Sequence, residues 1–376
     1  MKPIYLDCNA TTPIEDEVRD IMTRYLASEY GNAGSRTHSF GQEANKAVED
    51  ARRQVAEVVS AEKDEVIFTS GATESNNIAI LGLQKFAIES GKNHIISSSI
   101  EHKAVLEPLE YLSKNGFEIT LVDVDESGVV DPKNIEAAIE KNTLMVSLMH
   151  VNNELGTIQP IDEIANFLTD TDIIFHVDAA QGFGKDISPL QNKGIDLISI
   201  SGHKIYGPKG IGALIKRKRK QLDLNPLMLG GGQERGIRPG TLPVHLIVGL
   251  GLSSELAYEH HEERNSMNKT FKEKLLSELK PLNPRIHGNQ DSCLDNVISM
   301  SFDQIDSEAL MLVLKNEIAI SNGSACTSSS YEPSHVMTAI GLDDDEAEYV
   351  TRWSWCHMSH VPDWMTIIES IKSLKS

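Results

Sequence analysis

A chain of 376 residues, 40% hydrophobic and 24% charged, is long enough for a large core and ordinary for a globular protein. Its 35 Lys and Arg against 55 Asp and Glu give a net charge of −20, which argues against nonspecific binding of nucleic acid or an anionic membrane but not against a local basic pocket. The four cysteines, Cys8, Cys293, Cys326 and Cys356, contain no CxxC pair, so neither a disulfide framework nor a zinc site is expected. With no charged-then-apolar leader and no bilayer-length apolar run, the expected compartment is the reducing cytoplasm.

Ala44, Ala47, Val48, Ala51, Val55 and Val58 recur at helical spacing and predict a helix over 42–59. Residues 65–69 read as a buried strand that passes through Gly71-Ala72-Thr73 into a helix ending near 83. Strands are expected at 94–96, 117–122, 144–149, 173–177 and 195–200, with helices at 103–115, 133–141 and 161–167 between them. This alternation predicts an α/β fold with a mainly parallel sheet covered on both faces, which binds ligands at the carboxyl ends of its strands. Thr73, His102, Asn153, Asp178 and Lys204 fall at those ends. The basic run 216–220 reads as a solvated strand end. After Gly249-Leu250-Gly251 the composition shifts to a polar helix over 252–279, strand-like 296–302, helical 307–316 and a terminal helix from Asp363. The expected division is a large domain, 15–251, and a smaller α+β domain, 1–14 with 252–376.

Lys204 stands between a strand and a Gly-Pro-Lys-Gly turn, a placement that suits a Schiff-base lysine, although alone it reads equally as a solvated lysine. Asp178 ends a buried strand, where a carboxylate needs a cation; a protonated pyridine nitrogen is one, and a helix-capping role is the plainer alternative. The backbone N–H groups of residues 71–75 and the Thr73 hydroxyl suit a phosphate, or Thr73 simply caps a helix. His102 stacks on an aromatic ring or lies on the surface. Cys326 sits in a Ser- and Gly-rich stretch, 321–330, as an exposed thiol that is either used or incidental, while Cys8 and Cys293 read as incidental. Arg352, beside Trp353-Ser354-Trp355, clamps a carboxylate or packs in the core. Cys356-His357 with His360 has ligand-like side chains but not metal-ligand spacing, and no metal is expected.

In order, YLDCNATTP at 5–13, GATES at 71–75, EHKAV at 101–105, MHVNNELG at 149–156, HVDAAQ at 176–181, SGHKIYGPKGIGAL at 201–214, GGGQERGIRPGTLPVH at 230–245 and SNGSACTSSS at 321–330 resemble the cysteine desulfurases of the class V aminotransferase superfamily. The resemblance spans nearly the whole chain and is greatest to the type with a long cysteine loop. It implies the fold type I architecture of pyridoxal 5′-phosphate (PLP) aminotransferases, with PLP as cofactor and L-cysteine as substrate. It implies that Lys204 would hold PLP covalently and later move protons, Asp178 would pair with its pyridinium nitrogen, and His102 would stack on its ring. Gln181 and Asn153 would lie at the ring oxygen, and Ala72, Thr73, Ser201 and His203 at the phosphate. Thr241 would reach the partner subunit's phosphate, so a homodimer is implied. Arg352 and Asn32 would hold the substrate carboxylate. Cys326 would take the substrate sulfur as a persulfide, leaving alanine, and pass it to an acceptor protein.

The chain departs from the family pattern at Asn32-Ala33-Gly34-Ser35, at Cys8-Asn9 and at residues 353–357, and it ends without the longer tail of housekeeping members. These departures point from a housekeeping partner toward a specialised branch, DNA phosphorothioate modification being one candidate. The acceptor stays open between an iron–sulfur scaffold, a tRNA-thiolation protein and a DNA-phosphorothioation component; no direct nucleic-acid or membrane contact is expected. The alternatives are a selenocysteine lyase, another class V PLP transaminase, or a noncatalytic sulfur-system scaffold.

Overall fold

The computed structural model describes residues 2–322 and 334–374. The chain opens with β1 (Ile4–Tyr5) and two helices, α1 (Asp16–Ala27) and α2 (Ser39–Val58). The α2 helix buries the face formed by Ala44, Ala47, Val48, Ala51, Val55 and Val58, as the spacing predicts. A seven-stranded sheet follows, built from β2 (Val66–Thr69), β3 (His94–Ser98), β4 (Glu118–Val122), β5 (Thr143–Met149), β6 (Ile174–Asp178), β7 (Leu197–Ser201) and β8 (Gly212–Lys216). Its order is β2-β8-β7-β6-β5-β3-β4, and only β8 runs against the rest. The helices α3 (Ala72–Leu81), α4 (Gln84–Ser90), α5 (Lys103–Ser113), α6 (Pro132–Ala137) and α7 (Ile161–Leu168) connect the strands.

Two apolar layers cover this sheet. Phe68, Val146, Phe175, Val177 and Ile198 pack under α2 and α7, and Ile67, Ile95, Met145, Ile174 and Leu197 pack under α3 and α5. Because both faces are buried, these strands read in sequence as continuous apolar runs. From β3 the chain steps outward to β4, then returns to β5 on the other side, so the strand order reverses between β3 and β5. In open α/β sheets that reversal leaves a crevice at the carboxyl ends.

The 36-residue helix α8 (Val244–Leu279) runs through Gly249 and Gly251 without a break, so the composition shift marks no element boundary. These glycines are points of close approach: a Cβ on Gly251 would lie 2.6 Å from Ala51 Cα of α2, and one on Gly249 2.8 Å from the Met22 sulfur of α1. Beyond it come β9 (Arg285–His287), β10 (Val297–Ser301), α9 (Ser307–Leu314), β11 (Ile318–Ala319), α10 (His335–Ala339), α11 (Asp344–Glu348), β12 (Val350–Ser354) and α12 (Trp364–Ser373). Strands β12, β10 and β9 form an antiparallel sheet, while β1 pairs in parallel with β11. Their core holds Leu275, Leu279, Trp353, Trp355 and Ile367. Among the described residues no helix is long and apolar enough to cross a membrane.

The basic run 216–220 differs from expectation. Arg217 is buried and donates to Val59 O at 2.7 Å and Leu190 O at 3.0 Å, while Arg219 and Lys220 converge on the buried Asp196 carboxylate. A buried carboxylate recruits cations, so much of this cluster is structural, although Lys218 remains exposed.

Candidate active site

The strand ends enclose a cavity of about 480 Å³, and Lys204, Asp178, His102 and Thr73 all face it. Gly71, between β2 and α3, has φ +153°, which favours glycine. Behind it Gly212 is so close that an added Cβ would lie 2.6 Å from Gly71 Cα and 2.3 Å from Ile200 O. This packing sets α3 with its first residues, Ala72 and Thr73, on the cavity wall. The N-cap residue Gly71 has no side chain to cap the helix, so its first N–H groups suit an anion, with Ser201 and His203 on the same wall. Burial pushes the His203 imidazole down to about 4, and its Nδ1 lies 3.2 Å from Thr11 Oγ1.

Asp178 is only 5% exposed. Its Oδ2 accepts from Asn76 Nδ2 at 2.7 Å and its Oδ1 from Ala180 N at 3.0 Å. His102 caps α5 by accepting from Ala104 N at 3.0 Å, and burial lowers its pKa chiefly, so the ring stays neutral. Lys204 Nζ donates to the Asn9 carbonyl and to Ala10 O, the latter at 2.9 Å. Asn9 O also accepts from Gln181 Nε2 at 2.9 Å, which ties Gln181 to the lysine's neighbour.

Arg352 reaches the cavity but is already engaged. Its Nη2 donates to Asp7 Oδ1 at 2.8 Å and Ser321 Oγ at 2.9 Å, and its Nη1 to Asn153 O at 3.1 Å; its Nε has no partner among the described residues. Asn153 lines the same cavity. Asn32 and Thr241 do not: they share a separate cavity of about 150 Å³ with Arg52 and Glu234. The Asn32 carboxamide oxygen accepts from Gly34 N at 2.9 Å in a local turn, so a single chain does not bring Asn32 to Arg352. Cys326 lies outside the described residues. Among the described residues no group of His, Cys, Asp or Glu is arranged to hold a metal.

Sequence reasoning missed Asn76, Asn9 and Lys209, which also face the cavity. Asn76 carried a signal: a fully buried amide on an otherwise apolar helix face requires a polar partner. The role of Asn9 is carried by its backbone carbonyl, which no residue type announces.

The pattern of the class-V aminotransferases matches residues 4–363. The chain belongs to that family. It is 46% identical over 357 residues to a mitosomal cysteine desulfurase of Trachipleistophora hominis, covering 93% of this chain and 81% of that one. A solved NifS-like protein superposes with a TM-score of 0.90 at 36% identity, covering 99% of this chain and 98% of its own. DndA from Streptomyces lividans superposes with a TM-score of 0.82 at 45% identity, covering 92% and 98%. The family is PLP-dependent, and the donor set fits that cofactor: an uncapped helix for a phosphate, a buried carboxylate for a ring cation, and a lysine amine in the same cavity.

Proposed function

We propose that this chain is a cysteine desulfurase that converts L-cysteine to L-alanine, leaves the sulfur as a persulfide on Cys326 and passes it to an acceptor protein. The observation that carries this reading is the convergence of Lys204, Asp178 and the α3 N-terminus on one cavity in a chain of the class-V family.

When bound, PLP supplies an electron sink for the substrate α-carbon. Lys204 anchors the cofactor and moves protons to and from the substrate carbon; its Asn9 and Ala10 carbonyl partners hold the amine at the cavity wall. Asp178 keeps its carboxylate toward the ring nitrogen because Asn76 and Ala180 N grip both oxygens. His102, kept neutral by burial, stacks on the ring without competing for its charge. Ala72, Thr73, Ser201 and His203 hold the phosphate, and Gln181 and Asn153 border the ring oxygen. Arg352 holds the substrate carboxylate.

Thr241 serves the partner subunit's phosphate in a homodimer. Asn32 shares its cavity, so we assign Asn32 to the same subunit boundary rather than to its own chain's Arg352. Residues 1–14 and 252–376 form the small domain, with α8 continuing into the large domain, 15–251. The acceptor belongs to a specialised sulfur pathway of the DNA-phosphorothioation type, a reading supported by the departures at Cys8-Asn9 and 353–357. A reducing, cytoplasmic setting suits the free thiols of Cys8, Cys293 and Cys356.

The test is turnover of purified protein with L-cysteine and a reductant. Equal amounts of alanine and sulfide are expected, and Cys326→Ser keeps the cofactor absorbance while sulfide release stops. Full activity in that variant would remove Cys326 from the reaction.

A further inference from the structure

Two of the sequence's departures from its family, Cys8-Asn9 and residues 353–357, meet in the fold. Asp7 bridges Ser354 in parallel; Cys8 N donates to Ser354 O at 3.0 Å and Ser354 N to Leu6 O at 2.8 Å. This register sets Cys8 opposite Trp355, the residue before Cys356. The Cys8 and Cys356 side chains share a buried cluster with Tyr206, and Met358 packs against it. Cys8 is 1% and Cys356 4% exposed, and the desulfurase reading uses neither.

The two sulfurs are not equivalent. The Ser359 hydroxyl donates to Cys356 Sγ at 3.7 Å and accepts from Cys356 N at 3.0 Å. Cys8 and Ser359 beside it hold the Cys356 thiol low, while Cys356 and burial push the Cys8 thiol up. Lys185, which burial pushes down to about 8, and His357 are the charged or titratable neighbours that bear on the pair. A thiolate held beside a thiol is the arrangement that thiol–disulfide exchange requires. Met358 and His357, the two residues after Cys356, line a cavity of about 450 Å³ beside the cluster.

We propose that Cys8 and Cys356 are a redox-active dithiol that small organic disulfides oxidise to a reversible intramolecular disulfide. The Cys356 thiolate attacks one sulfur of the incoming disulfide, breaks its S–S bond and releases one thiolate. That thiolate takes the Cys8 proton as Cys8 attacks the Cys356 sulfur, forming the Cys8–Cys356 bond and expelling the second thiolate. The pair loses two electrons and two protons, and the small disulfide becomes two thiols. The bond would tighten two segments that border the cavity: Asn9, whose carbonyl accepts from Lys204, follows Cys8, and Arg352 precedes Cys356 in the chain. Disulfide formation stands apart from the desulfurase reading; only its effect at Lys204 rests on it.

The experiment exposes purified, reductant-free holoenzyme to oxidised glutathione without oxygen, then maps cysteines by mass spectrometry under non-reducing conditions. Loss of both thiols, one linked Cys8–Cys356 peptide and reversal by dithiothreitol are expected. In Cys8→Ser, Cys356 should instead retain one glutathione. Both thiols remaining free in the wild type, or linkage of either to another cysteine, would overturn the proposal. The cofactor absorption band should shift on oxidation of the wild type and not of Cys8→Ser. A disulfide without that shift would overturn the link to Lys204 alone.

Discussion

Asn76 Nδ2 lies 2.7 Å from Asp178 Oδ2, a buried amide on α3 steering a buried carboxylate at the end of β6. Through it, the helix whose N-terminus suits the phosphate also orients the group that suits the ring nitrogen. The spacing between these two ends of the cofactor is therefore set by one helix packed on the sheet.

Asn76→Ala removes a hydrogen bond to a charged group, an interaction worth about 1.5–3 kcal/mol. Cofactor affinity, followed by absorbance titration, should fall by roughly ten- to a hundredfold, as that energy implies. Asp178→Asn removes the negative charge itself, and kcat should fall by about 10² or more, on the scale of losing one electrostatic contact to a developing charge. Wild-type turnover in Asp178→Asn would place the ring nitrogen elsewhere.

Gly212→Ala tests the packing behind the phosphate turn. Its Cβ would meet Gly71 Cα at 2.6 Å, and the backbone must shift. Overpacking of this kind costs about 1–3 kcal/mol. Thermal unfolding should show that loss, and cofactor affinity should drop with it; unchanged affinity would mean that the turn does not hold the phosphate.

Glu101, buried beside His102, has its carboxyl pushed up to about 8, mainly by desolvation, from an ordinary 4.5. One oxygen accepts from Ser98 and Met149 N, and the other has no partner among the described residues, which suits a neutral acid. The folded state therefore binds a proton that the unfolded chain releases above 4.5. The stability this group contributes is fully present below that pH and is lost as pH rises toward about 8, at about 1.4 kcal/mol per pH unit. Denaturant melts of Glu101→Gln across this window should lack that slope. An unchanged slope would mean that Glu101 is ionised in the fold.

The buried pair of Arg52 and Glu234 joins α2 to the stretch leading to Thr241. Glu234 accepts from Arg52 at 2.7 and 2.8 Å and from Phe68 N at 2.7 Å. Glu234→Ala leaves a buried guanidinium uncompensated, and stability should fall by about 3–5 kcal/mol in urea melts. Sedimentation should also show weaker association of the proposed homodimer, because this pair lines the cavity that holds Thr241 and Asn32.

The inner parallel strands were legible because both of their faces are buried and each reads as an apolar run bounded by turn residues. Lys204, Asp178, His102 and Thr73 were legible because each stands where such a run stops. Arg217 and Arg219 were not: a basic residue after a strand looks solvated until the fold supplies Asp196 and the carbonyls of Val59 and Leu190. The Gly249-Leu250-Gly251 shift misled because glycine in a helix interior lowers propensity, while here it admits α1 and α2 at close range. Asn32 lines a cavity apart from Arg352 within one chain, a separation that its neighbours in sequence do not reveal. Cys8 looked incidental and Cys356 was read only with His357 and His360, because a shared cluster of residues 348 positions apart leaves no local trace.

The central claim is tested most directly by a single turnover of holoenzyme with L-cysteine without reductant, followed by alkylation and mapping of sulfane sulfur by mass spectrometry. The account predicts one alanine per subunit and one added sulfur on Cys326, with none on Cys293. Alanine formed without sulfur on Cys326, or sulfur carried first by another cysteine, would contradict it.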